Sequence, residues 1–160
     1  MITRRIGIKS IAPYLVLIGA AFAADQLSKQ WADSYWTTHG QTTFNGLFTL
    51  HVVYNPGIGF GFLPGSGAIV GWLTFAIVAL LLIWLGRVPR SQWLVKVGLA
   101  LLIGGALGNM IDRITAGQVL DFILTPIWPR VLNIADIAIR GGAGLILVGS
   151  IVQNERTVIT

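Results

Sequence analysis

The chain has 160 residues, 54% hydrophobic and 11% charged, with a mean hydropathy of +0.76 and a formal net charge of +5. So little charge does not cover a water-soluble domain of this size, so lipid is the expected main solvent. No basic patch is interleaved with aromatics, which excludes nucleic acid as a partner, and the absence of cysteine excludes disulfides, thiolate nucleophiles and cysteine-bound metal.

Arg4, Arg5 and Lys9 precede an apolar run, Ile11 to Ala24, that continues through Asp25 to Trp31. Cleavage after Ala21-Phe22-Ala23 as a secretory signal is the competing reading. A first membrane helix over about 11–31, with Trp31, Tyr35 and Trp36 as an interfacial belt, explains more of the pattern. The segment 32–64 is too polar to span. Within it, Asn45-Gly46 lies between the β-prone stretches Thr42–Phe44 and Leu47–Tyr54, which predicts a hairpin on the membrane surface. Ser66–Gly86 is a run of 21 residues without a charge, the length needed to cross ~30 Å of hydrocarbon. Arg87, Arg90 and Lys96 frame the next loop. A third span covers 94–114, where Gly104 and Gly108 are spaced for close helix approach, and a fourth covers 131–152. The expected fold is one all-α membrane domain, residues 1–160, with four transmembrane helices and a small β element on the outer surface.

Arg4, Arg5, Lys9, Arg87, Arg90, Lys96 and Arg156 fall on one side of this topology, and Lys29, Arg113, Arg130 and Arg140 on the other. The positive-inside rule then puts both termini in the cytoplasm. Asp25, Asp33, Asp112, Asp121 and Asp136 gather at the outer half, and an ionisable group at membrane depth is a functional candidate by default. Asp112 and Arg113 have a bland alternative as a local ion-pair network, and Asn109 shares a helix face with Arg113. Asn133 and Asp136 read equally well as a helix cap followed by an acid in the first turn. Asp121, in the apolar stretch Val119–Leu124, has no such structural use.

The only histidines, His39 and His51, lie in the surface segment, and no zinc motif is present, so neither a serine hydrolase base nor a metal site is expected. Gly57, Gly59 and Gly61 fit neither a dinucleotide fingerprint nor a P-loop. Paired carboxylates remain. Two close together do not both ionise easily, so one keeps its proton and polarises a carbonyl while the other takes a proton from water. That chemistry needs no cofactor.

The motifs resemble those of the lipoprotein signal peptidases (signal peptidase II). Asp25-Gln26-Leu27-Ser28-Lys29, Asn55-Pro56-Gly57, Gly104 through Arg113, Val119-Leu120-Asp121-Phe122 and Asn133-Ile134-Ala135-Asp136 match the family's five motifs in order. The run Ile58-Gly59-Phe60-Gly61 and Leu132 depart from it. The resemblance implies an aspartic endopeptidase with Asp121 and Asp136 catalytic. It further implies that Asp25, Lys29, Asn55, Asn109, Asp112, Arg113 and Asn133 support the site or hold substrate. The implied substrates are prolipoproteins carrying a diacylglyceryl group on cysteine, cut just before that cysteine at the outer leaflet of the bacterial cytoplasmic membrane. Membrane phospholipid is the other expected partner, and the chain is expected to be a monomer. The alternatives are a small transporter or channel using the same aspartates, or a non-catalytic scaffold for lipoproteins. A relay would spread its acids through the membrane depth, whereas the second helix has none.

Overall fold

A computed structural model describes residues 11–44, 46, 48–56 and 67–158. Arg4, Arg5, Lys9, Asn45, Leu47 and Gly57, Gly59 and Gly61 lie outside the described residues. The elements in chain order are α1 (Ala12–His39), β1 (Thr42–Phe44), β2 (Phe48–Asn55), α2 (Gly67–Arg87), α3 (Trp93–Ala116), β3 (Val119–Thr125), β4 (Trp128–Leu132) and α4 (Ile134–Val158).

Among the described residues, three helices are long and apolar enough to cross a membrane: α2 over Ala68–Arg87, α3, and α4 over Ile134–Val152. Their faces differ. About two-thirds of α3 is buried inside the protein against 17% of α2 and α4, so α3 is the central post and the others wrap it. Leu85, Leu99 and Ile103, each at most 1% exposed, form the middle of the interhelical core with Ile18 and Val78. α1 crosses α3 at Gly104 and Gly108, where an added Cβ would strike Ile18 and Ala21 at the first position and the Asp25 carboxylate at the second.

The α3–α4 crossing is as tight. A Cβ at Gly98 would sit 2.6 Å from the Gly142 carbonyl oxygen, whereas one at Gly141 meets nothing within 4 Å. Gly98→Ala is therefore expected to destabilise by about 1–3 kcal/mol, the usual cost of overpacking. Gly141→Ala should be neutral or stabilise by up to about 1 kcal/mol through helix propensity. Thermal midpoints of the two variants in one detergent check this; equal midpoints would dissolve the close-packing account.

The β element is larger than the sequence predicts. The expected hairpin is present, with Thr42 opposite Leu50 and Phe44 opposite Phe48. The connection between the third and fourth expected spans and the first residues of the fourth supply two more strands, and the sheet runs β1-β2-β3-β4 with every pair antiparallel. Two helix boundaries move accordingly. The first helix does not stop near Trp31 but runs to His39, because its last turns carry Ala32, Tyr35 and Trp36 into a second core beneath Leu50, Val52 and Phe122. Gly40, at φ +67°, then ends it in a backbone conformation that favours glycine. The last helix begins at Ile134 rather than 131, since Leu132 pairs with Ile123 in the sheet.

Candidate active site

Five elements bring the polar residues to one place. Asp25 and Lys29 lie one turn apart on α1, and Asn109, Asp112 and Arg113 on the last turns of α3. Asn55 ends β2, Asp121 lies in β3, and Asn133 and Asp136 stand at the start of α4. β3 is held against β2 with Asp121 opposite Val53 and Val119 opposite Asn55.

A buried ion cluster forms the base. The Lys29 ammonium lies 2.7 Å from both the Asp25 and Asp112 carboxylates and donates to Asn109 Oδ1 at 3.1 Å. Asp25, fully buried, also accepts the Ala135 amide at 2.9 Å and so ties α1 to the first turn of α4. Gln26 donates to Asp112 Oδ1 at 3.0 Å and to the Gly108 carbonyl at 3.3 Å, a supporting contact absent from the predicted set. Its position inside the motif of residues 25–29 was the available signal. Charges taken from water are retained only with such dense pairing.

Three asparagines sit above this base. Asn133 Nδ2 donates to Asp121 Oδ1 at 2.7 Å and to Asn109 Oδ1 at 3.0 Å. Its Oδ1 accepts the Asp136 backbone N–H at 2.8 Å. The capping and site readings of Asn133 are therefore both true, carried by different atoms of one amide. Asn109 Nδ2 reaches Asp136 Oδ1 at 3.2 Å, and Asn55 Nδ2 reaches Asp121 Oδ2 at 3.1 Å. Arg113, which donates to the Asn109 carbonyl, lies close enough to Asp112, Asp121 and Asp136 for their charges to act on it.

Asp121 and Asp136 line one cavity of about 530 Å³, with Asn55, Asn109 and Arg113 on its polar side and Val70 and Thr74 of α2 among its walls. Arg130 and Arg140, not among the predicted site residues, also line it. Tyr54 borders it too, its hydroxyl donating to Asp33 at 2.7 Å, which fixes β2 to α1 beside Asn55. His39 and His51 lie away from the cavity, packed on Tyr35 and Trp36. Among the described residues no three His, Cys, Asp or Glu side chains gather as a metal site.

Burial pushes the Asp121 carboxyl up to about 6, and the negative charge of Asp136 adds to the shift against the lowering effect of the Asn55 and Asn133 hydrogen bonds. The folded chain therefore binds more protons here than the unfolded chain between about pH 4 and 6, and stability falls as pH rises through that window. Asp121→Asn should remove up to about 3 kcal/mol of this penalty above pH 7. The loss is about 1 kcal/mol, because an amide nitrogen then faces one of two asparagine donors. The variant is expected to melt higher than wild type at pH 7.5 and lower at pH 4. A difference of the same sign at both values would contradict the assigned burial cost.

A family model described as signal peptidase (SPase) II matches residues 17–152. The lipoprotein signal peptidase of Shewanella pealeana (strain ATCC 700345 / ANG-SQ1) is 42% identical over 142 residues, covering 84% of this chain and 83% of that protein. That of Desulfitobacterium hafniense (strain DSM 10664 / DCB-2) is 33% identical over 142 residues, covering 88% and 94%. Among solved structures, a bacterial membrane enzyme determined by the in meso method at 2.3 Å resolution superposes with a TM-score of 0.79 at 25% identity, covering 91% of this chain and 92% of that one.

Proposed function

The chain belongs to the signal peptidase II family, and from that premise we propose that Asp121 and Asp136 are its catalytic pair. It is a membrane-embedded bacterial protease that processes prolipoproteins, of the aspartic type. The observation that carries the residue assignment is the shared cavity. Both acids line it, and Asn133 joins them by donating to one side chain and capping the backbone of the other.

In the reacting state the more enclosed acid, Asp121, carries the single proton of the pair, and the half-exposed Asp136 is the base. Asp136 removes a proton from water as its oxygen attacks the carbonyl preceding the lipidated cysteine. Asp121 gives its proton to the carbonyl oxygen, forming a tetrahedral diol. The C–N bond then breaks as Asp136 protonates the departing nitrogen, and one diol proton returns to Asp121. Both acids end as they began. Asn55, Asn109 and Asn133 hold the carboxylates in register, while Asp25, Lys29, Asp112 and Arg113 set the base on which they stand.

In the membrane, α1 is the fourth span, with Leu15, Val16 and Leu27 facing lipid from its exposed side. The sheet lies on the outer surface, both termini are cytoplasmic, and the cavity opens at the outer leaflet of the cytoplasmic membrane. The single domain works as a monomer among phospholipids, without nucleic acid. The substrate is a prolipoprotein whose cysteine carries diacylglyceryl, its acyl chains reaching the site through the bilayer.

The test is one turnover on such a substrate in ¹⁸O-water. Label in the new C-terminal carboxyl, with none in either aspartate, supports direct attack by water. Label in Asp121 or Asp136 would mean an acyl-aspartate intermediate and overturn the mechanism.

A further inference from the structure

Arg140 is out of place by the rules that shape the rest of α4. From Ile137 to Val152 it is the only ionisable residue, and it is exposed on a helix apolar enough to span. Among the described residues no carboxylate lies within ion-pair distance of it. Its guanidinium instead stacks 4.7 Å from the ring of Trp128. On β4, Trp128 and Arg130 are two residues apart and share a face of the strand, because side chains alternate along it. Arg130 and Arg140 both line the catalytic cavity. Beside them the β3–β4 turn presents Ile127, 92% exposed, and Trp128, 40% exposed. An apolar tip, an aromatic ring and two cations thus stand at one edge of the cavity.

We propose that Arg130 and Arg140, braced by Trp128, bind the phosphate of an anionic phospholipid at the cavity mouth, with Ile127 against its acyl chains. This rests on the membrane placement proposed above. A guanidinium matches a phosphate with two parallel N–H···O bonds, and the flat ring of Trp128 fixes the plane of Arg140 without neutralising it. A cation at lipid depth is tolerated where it meets a headgroup or an opposite charge, and among the described residues no carboxylate is within ion-pair distance of Arg140. Two outward arginines also run against the positive-inside pattern, which a phosphate ligand accounts for. The bound lipid would border the opening through which the substrate's own acyl chains enter.

Full-length protein in neutral detergent, titrated with phosphatidylglycerol and read by native mass spectrometry, tests the site. Arg130→Gln/Arg140→Gln is expected to bind the lipid at least tenfold more weakly than wild type. Arg130→Lys/Arg140→Lys, which keeps the charge but loses the bidentate fork, should fall between them and carries the comparison if the glutamine variant fails to fold. Millimolar inorganic phosphate should leave the lipid bound. Equal lipid binding by all three proteins would overturn the proposal, as would displacement by inorganic phosphate, which would make the site one for free anions. Normal lipid binding with selective loss of cleavage of prolipoproteins acidic after the cysteine would reassign the pair to peptide recognition. A solvatochromic dye on Ile127→Cys, the only cysteine in the chain, reports independently whether the hairpin tip meets the bilayer. Wild-type cleavage in the same detergent tests the peptidase reading separately.

Discussion

Asp121→Asn and Asp136→Asn are each expected to lower cleavage of a diacylglyceryl-modified prolipoprotein by about 10³-fold or more, with the protein still folded. Each swap keeps the side-chain shape and deletes the group that carries the proton, and positioned general acid–base catalysis is worth about 10²–10⁴-fold. The asparagine donors that hold the pair remain in place. Because the two acids act in one proton cycle, the double variant should be hardly worse than either single one. A gel shift or mass spectrum of the released signal peptide reads the rate, and the lipid-modified mature chain must begin at its cysteine. Cleavage that survives both substitutions would leave the family membership standing and remove these two residues from the mechanism.

Lys29→Met should be the most damaging substitution for stability outside the helix crossings. Lys29, 4% exposed, is shared by two carboxylates at 2.7 Å each, and its loss leaves Asp25 and Asp112 facing one another without their cation. Removing one partner of a buried ion pair costs about 3–5 kcal/mol. The variant is expected to show a clearly lower thermal midpoint in detergent and reduced yield. The charge origin of the effect is checked by Lys29→Met/Asp25→Asn, which removes one stranded charge and keeps an oxygen to accept the Ala135 amide. That double variant should recover a measurable part of the loss; no recovery would mean that Lys29 acts by filling space. Activity should fall along with stability, since Lys29 also donates to Asn109, which in turn holds Asp136.

Much of the site was legible because its residues are improbable where they stand. Asp25, Asp112 and Asp136 interrupt apolar helices, and Asp121 interrupts an apolar strand, so each is visible as an ionisable group near lipid. The structure brings all nine predicted residues, from Asp25 to Asp136, into one connected network of hydrogen bonds and charges. Gln26 escaped because a neutral amide beside a carboxylate carries no such signal. Arg130 and Arg140 escaped as well: the charge pattern used them for orientation, and only proximity to Trp128 and the cavity gives them a place.

By itself the sequence determined the membrane class, three of the four expected spans and the hairpin of β1 with β2, and it offered the cap at Asn133 as one of two readings. Each of these depends on composition or spacing within a few residues, which is where hydropathy, turn chemistry and capping operate. The tertiary structure alone decided that β3 and β4 extend the sheet, that α1 continues beneath it to His39, and that Lys29 is divided between Asp25 and Asp112. It also decided which asparagine meets which aspartate. Those features join residues as far apart as Asp25 and Ala135, 110 positions along the chain. A contact of that kind has no local pattern to announce it, because its stability comes from burial shared between segments that meet only once the helices have packed.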